Sequence, residues 1–252
     1  MRRSQPEFTT PALVLRLVDY SESDRVVTLL TRDCGKVSAF ARGARKSSRR
    51  FRGGLGLLQP LEVTIAVREE GLANLRGSEA TIDTTDIGTE LPRLAAGALV
   101  MELMDLTVAD GQGTPELYER AERFVRWLAT EHRGIHWLDC GVQRMQLVLL
   151  QEGGLLPDLG QSARDGRPVE LLTRPFWLRD GGLIDQSERY VGEVGMPLAV
   201  ESLRLLESLL AGRFSVVSPE ALAQTRELLA QIWKWSLDRE PRSWELYRSQ
   251  FT

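Results

Sequence analysis

Between Pro11 and about Asp83 the apolar residues fall in short blocks with a period of two. Residues 12–18 and 26–31 are β-branched and aliphatic, and the polar turn Asp19-Tyr20-Ser21-Glu22-Ser23-Asp24 separates them. Residues 36–41 follow the turn Asp33-Cys34-Gly35. In 61–67, Leu61, Val63, Ile65 and Val67 alternate onto one face, and 72–80 completes the set after Glu69-Glu70-Gly71. Five short strands joined by tight turns in about 75 residues predict a small barrel or sandwich.

After Asp83 the period changes to about 3.6, the spacing of a helix. Residues 91–108 are apolar and helix-forming, with Pro92 near the start. Thr114 as N-cap and Pro115 at the first helical position open a second helix. Leu117, Ala121, Phe124, Val125 and Leu128 make its buried stripe. A third helix spans about 137–152, with Leu138, Val142, Met145 and Leu149 on one side, and stops at Gly153-Gly154. Residues 151–196 hold eight of the 22 glycines together with Pro157, Pro168 and Pro175. That density predicts an irregular insert over about 153–196, with a small hairpin around 176–178 and 183–184. Helical periodicity returns over 197–211 and again from Ser218-Pro219-Glu220 to about 238. An aromatic tail, 244–251, follows. The expected organisation is a barrel domain over 1–83 and a helical domain over 84–252 that carries the insert.

The net charge of −3 argues weakly against a polyanionic partner if taken for the whole chain. Its distribution changes that picture. Residues 1–83 carry 14 Lys and Arg against 10 Asp and Glu, whereas 84–252 carry 18 against 25. A local basic face, not the overall charge, draws polyphosphate. Two cysteines far apart, Cys34 and Cys140, provide no disulfide framework and point to a reducing compartment. Met1-Arg2-Arg3-Ser4-Gln5-Pro6 is not followed by an apolar run of the signal-peptide type, and no stretch of about 18 apolar residues exists to span a membrane. A cytoplasmic protein without a membrane partner is expected.

The local feature that stands out is Ala41-Arg42-Gly43-Ala44-Arg45-Lys46-Ser47-Ser48-Arg49-Arg50-Phe51-Arg52-Gly53-Gly54. Residues 42–52 hold six cations and no acid, between two strand patterns and among small residues. Arginine forks match phosphate oxygens bidentately, and lysine adds a point charge. Each neutralised phosphate releases counterions, so a handful of contacts gives useful, salt-sensitive affinity without sequence preference. Arg25, Arg32 and Lys36 sit in the preceding strands, where a barrel gathers them nearby. The plainer reading is a solvated loop without a partner, which six cations in an otherwise acidic protein disfavour. Phe40 and Phe51 are the nearest aromatics for stacking on bases, although Phe40 also suits a core position.

Enzyme motifs are poorly represented. Gly43-Ala44-Arg45-Lys46-Ser47 lacks the spacing of a phosphate loop and no helix follows it. No Gly-x-Ser-x-Gly elbow occurs. Glu22 with Asp24, and Asp83 with Asp86, could be paired acids, but turn chemistry accounts for them more simply. His132, His136 and Cys140 have i, i+4, i+8 spacing, yet Gly134 interrupts them and no fourth ligand is near, so no metal and no cofactor is expected. The chain reads as non-enzymatic.

The chain resembles the RecO recombination-mediator family of bacterial DNA repair. The resemblance rests on Ala12-Leu13-Val14-Leu15, on Asp19-Tyr20-Ser21-Glu22-Ser23-Asp24-Arg25 leading into Val26-Val27-Thr28-Leu29-Leu30-Thr31, and on 35–46. Leu57-Leu58-Gln59-Pro60-Leu61 and Gly154-Leu155-Leu156-Pro157-Asp158-Leu159 are similar to later landmarks. It implies an α+β protein: a five-stranded oligonucleotide-binding (OB) barrel, then a mostly helical domain with a zinc-ribbon-like insert. It also implies binding of single- and double-stranded DNA, strand annealing, and loading of RecA onto strands coated by the single-stranded DNA-binding protein SSB. RecR, often RecF, and the acidic C-terminal tail of SSB are the implied partners. Lys36 and Arg42 are the DNA-contacting positions that carry over by motif. Many members place four cysteines in the insert, whereas Gln161-Ser162-Ala163-Arg164-Asp165-Gly166 has none, so zinc is not expected here.

The full expected interface is Arg25, Lys36, Arg42, Arg45, Lys46, Arg49, Arg50 and Arg52. The competing reading is a protein-interaction adaptor whose helical domain binds acidic peptides without touching DNA; an RNA-binding barrel is the other possibility left open.

Overall fold

The computed structural model describes residues 7–66, 71–131, 133–169, 174–179, 181–214 and 218–251. Val67, the Glu69-Glu70 turn, Met1 to Pro6 and His132 lie outside the described residues. The chain divides into two compact units, Met1–His132 and Arg133–Thr252.

The first unit opens with β1 (Glu7–Asp19), β2 (Arg25–Thr31) and β3 (Gly35–Ala41), an antiparallel meander. The two-residue β4 (Phe51–Arg52) follows, then β5 (Pro60–Ala66) and β6 (Ala73–Ala80). β1 is longer than the apolar block 12–18 suggested because it serves two neighbours. Its first half, from Glu7 to Leu13, pairs with β5, and Ala12 to Asp19 pair with β2. A register shift between Val14 and Arg16 bends the strand between those tasks, as bulges do at barrel corners. β5 pairs with β6, and β6 lies parallel to β3 through Ala39–Ala73 and Phe40–Asn74. The order β3-β2-β1-β5-β6 thereby closes on itself into a five-stranded barrel of OB type.

The period-two pattern sorts as the alternation requires. Ala12, Val14, Val27, Leu29, Ala39, Ala41, Leu61, Val63, Ile65, Ala73 and Leu75 fill the barrel, joined by Phe51 and Leu55. Leu13 and Leu30, of opposite parity, are also buried, because helices lie over that part of the wall. These helices are α1 (Thr85–Thr89), α2 (Leu91–Thr107) and α3 (Pro115–Thr130). α2 packs on β1, and α3 on β1 and β2. A Cβ at Gly97 of α2 would come within 2.4 Å of Leu58 Cδ1, so glycine permits the close approach. Thr114 caps α3 by accepting the Leu117 N–H at 3.2 Å, a contact worth about 1 kcal/mol. The barrel strands end at Ala80, and the compact unit that holds them extends through α3.

The second unit holds α4 (Ile135–Glu152), α5 (Val200–Leu210), α6 (Pro219–Leu237) and α7 (Trp244–Gln250). Ser218 caps α6 by accepting the Ala221 N–H at 3.1 Å. The aromatic tail is a helix. Its Tyr247 is fully buried and donates to the Asp139 carboxylate, which also accepts Arg226 at 2.8 Å. Between α4 and α5 lies the insert, with β7 (Pro175–Leu178), β8 (Leu183–Asp185) and β9 (Gly195–Pro197) in the order β8-β7-β9. The hairpin expected at 176–178 and 183–184 is present, with a third strand added. Phe176 and Trp177 are each 2% exposed, so packing holds the insert.

Candidate nucleic-acid interface

The basic run forms a chain of tight turns between β3 and β4. The Ala44 N–H donates to Ala41, and those of Lys46 and Ser47 donate to Gly43. Gly43, at φ 68°, occupies the left-handed region, and a Cβ there would meet the Arg50 guanidinium at 2.9 Å. Two anchors fix the run to the turn between β1 and β2. The Asp24 carboxylate accepts the Gly43 N–H at 2.7 Å, and the Ser23 carbonyl accepts the Arg45 N–H at 3.0 Å. The far end is fixed by Phe51, which is in the core, and by the Ser78 N–H donating to the Arg50 carbonyl at 2.9 Å. The backbone is thus pinned while Arg42, Arg45, Lys46, Arg49, Arg50 and Arg52 are exposed.

Most of the expected cations gather around the β1–β2 turn. Arg25 Nε lies 2.8 Å from Asp19, and Arg45 approaches the same carboxylate at 3.8 Å while donating to the Ser21 carbonyl at 3.1 Å. Lys46 faces Glu22 at 3.9 Å, and Arg50 donates to the Arg42 carbonyl at 2.5 Å. Hydrogen bonding from Arg25 holds the Asp19 carboxyl below its ordinary range, and the Gly43 N–H does the same for Asp24. Arg42 adds a Coulombic attraction to Asp24. Arg52 sits on β4, 3.7 Å from Glu79. Arg49 makes no ion pair with a described residue. The separations of 3.7–3.9 Å belong to exposed partners, and such pairs contribute about 0–1 kcal/mol. A phosphate oxygen can replace the carboxylate at little loss.

Lys36 stands apart. It lies at the opposite end of β3, roughly 16 Å from Ala41 along an extended strand. Its ammonium sits 3.0 Å from the Asp105 carboxylate and donates to the carbonyls of Asp105 and Val108 at 2.5 and 3.0 Å, at the end of α2. The side chain is 11% exposed. This is a cation at the negative end of a helix.

The aromatic expectations separate. Phe51 is 2% exposed in the barrel core and cannot stack on a base. Phe40 points the other way from Ala39 and Ala41, on the outer face. The registers set it in a row across the wall, Val18–Val26–Phe40–Asn74. Tyr20, 70% exposed, meets Phe40 edge-on at 5.4 Å. Sequence reasoning placed Tyr20 only as a turn residue; its parity with Val18 was the available signal.

Of the spaced trio, His132 lies outside the described residues, His136 is exposed, and Cys140 is buried with its thiol pushed up to about 12 by that burial. Among the described residues no three His, Cys, Asp or Glu side chains are placed to share a metal ion, and no helix is long and apolar enough to cross a membrane.

Residues 1–82 match the family model described as Recombination protein O N terminal, and 88–245 match Recombination protein O C terminal. The chain belongs to the RecO family. Its RecO relatives include the DNA repair protein RecO of Anaeromyxobacter sp. (strain K), 35% identical over 242 residues that cover 90% of each chain. That of Myxococcus xanthus is 35% identical over 243 residues, covering 92% of this chain and 93% of its own. That of Geobacter sulfurreducens is 34% identical over 221 residues, covering 86% and 88%. RecO membership supports a role in DNA repair. The zinc that the family likeness implied does not suit this RecO insert. Arg164 clamps Glu193 through both carboxylate oxygens at 2.6 and 2.8 Å, and Arg167 pairs with Asp165 at 2.5 Å and with Glu188. Hard carboxylates already held by arginines are not the soft thiolate set of a structural zinc site.

Proposed function

We propose that this RecO protein acts in repair and recombination by binding DNA through the barrel, with the pinned basic turns between β3 and β4 holding the phosphate backbone. The observation that carries this reading is the fixed backbone of 42–51 with exposed cations whose carboxylate partners, where they have them, are long and weak. A preformed cationic surface avoids the ordering entropy that a loose loop gives up on binding. The interface comprises Arg42, Arg45, Lys46, Arg49, Arg50 and Arg52, with Arg25, half-buried and tied to Asp19 at 2.8 Å, at its edge and Lys36 assigned to the fold. The protein makes and breaks no covalent bond; it holds single and double strands, anneals complementary ones and helps load RecA on SSB-coated DNA in the bacterial cytoplasm. RecR, RecF and the SSB tail are the protein partners this role calls for.

Replacing Arg42, Arg45 and Arg49 together by glutamate tests the interface. DNA affinity at low salt is expected to fall by two or more orders of magnitude, on the order of the loss of several phosphate contacts, with the melting temperature unchanged. Unaltered affinity in a fluorescence titration contradicts it.

A further inference from the structure

We infer that Tyr20 and Phe40 form a base-stacking platform, so that the barrel interface distinguishes unpaired bases from duplex. The inference rests on the proposed phosphate-holding role of the basic turns and names the ligand class that the adjoining face selects. Phe40 faces away from a barrel core already filled by Ala39, Ala41 and their neighbours. Tyr20 is 70% and Val18 44% exposed. Single exposed apolar side chains need no explanation. Here the half-buried Phe40 shares one face of the wall with Val18 and Val26 through the strand registers and meets the exposed Tyr20 edge-on at 5.4 Å, on the strand face that OB barrels offer to oligonucleotides.

Charge complementarity fixes the occupant. Arg42 follows Phe40 by two residues, about 7 Å along the strand direction, and Arg45 and Lys46 flank the turn that carries Tyr20. A backbone held by those cations brings its bases over the rings if the bases are free to splay out. In a duplex the base faces are already stacked on one another, and only phosphates remain to be bound. Every base has a π-face, so such a platform tolerates any sequence.

The test compares a labelled oligothymidylate with a duplex of equal length at one salt concentration, using Tyr20→Ala/Phe40→Ala and, to preserve apolar bulk, Tyr20→Leu/Phe40→Leu. Single-strand affinity is expected to fall about tenfold or more in both variants. Duplex affinity is expected to stay within about twofold, because phosphate contacts carry it. Parallel loss for both ligands, or no loss for either, overturns the stacking assignment. Arg42→Glu/Arg49→Glu, by contrast, is expected to weaken both ligands together. If it weakens neither, the phosphate-holding role fails, whatever the rings do.

Discussion

At the scale of single residues, position within the fold decides what a cation does. Lys36 and Arg42 are both in or beside β3 and were paired by motif, but they meet different surroundings. Lys36 is held by Asp105 and by two carbonyls at the end of α2; Arg42 is exposed. Lys36→Met is therefore expected to lower stability by about 2–4 kcal/mol, because it leaves a largely buried carboxylate with weaker compensation. DNA affinity should change by no more than about twofold once the variant is folded. Thermal melting and an oligonucleotide titration check this. Reduced affinity with unchanged melting would return Lys36 to the interface. The sequence shows six cations within eleven residues but not their partners, since Asp19, Glu22 and Asp24 are some 20 residues earlier and only the β2–β3 register brings them alongside. The inward turn of Phe51 was hidden for a similar reason: it depends on parallel pairing of β4 with Ser78 and Glu79 of β6.

Among the elements, those with strong local signals were readable. α3 and α6 announce themselves by Thr114-Pro115 and Ser218-Pro219, and both side chains do cap. The five barrel strands follow from alternation. β4, α1 and α7 do not, because two, five and seven residues are too short to be specified locally. Tertiary contacts hold them, as Tyr247 on Asp139 shows for α7. The insert was legible as irregular, and its hairpin as a hairpin, but the ion pairs that brace it were not. Hydrogen bonding from Arg164 holds the Glu193 carboxyl below its ordinary value of 4.5. A lowered folded value means that this contribution is complete above the ordinary carboxylate range and disappears as the pH falls through the folded value. Opening of 160–169 and 186–196, read as loss of amide-exchange protection, is accordingly expected to set in as the pH falls below the ordinary carboxylate range, before α4–α6 respond. Exchange in these segments that stays slow until global unfolding would show that apolar packing alone braces the insert.

For the whole molecule, the uneven charge is the organising fact. A chain of net −3 concentrates cations near its barrel, with +4 over 1–83 and −7 over 84–252. A polyanion approaching such a protein is steered to one region and repelled by the rest, increasingly so as salt is lowered. Arg42 and Arg49 matter most to this account because both are exposed and neither is within ion-pair distance of a described carboxylate, Arg42 feeling Asp24 only as a Coulombic attraction, so phosphate binding there displaces mainly solvent ions. The most direct measurement is the salt dependence of oligothymidylate binding by the intact protein and by Arg42→Gln/Arg49→Gln. With about five phosphates neutralised, the double-logarithmic slope should be about −3.5, and shallower by about 1.4 in the variant. A slope near zero, or one that the two substitutions leave unchanged, would contradict the claim that these turns hold the DNA backbone.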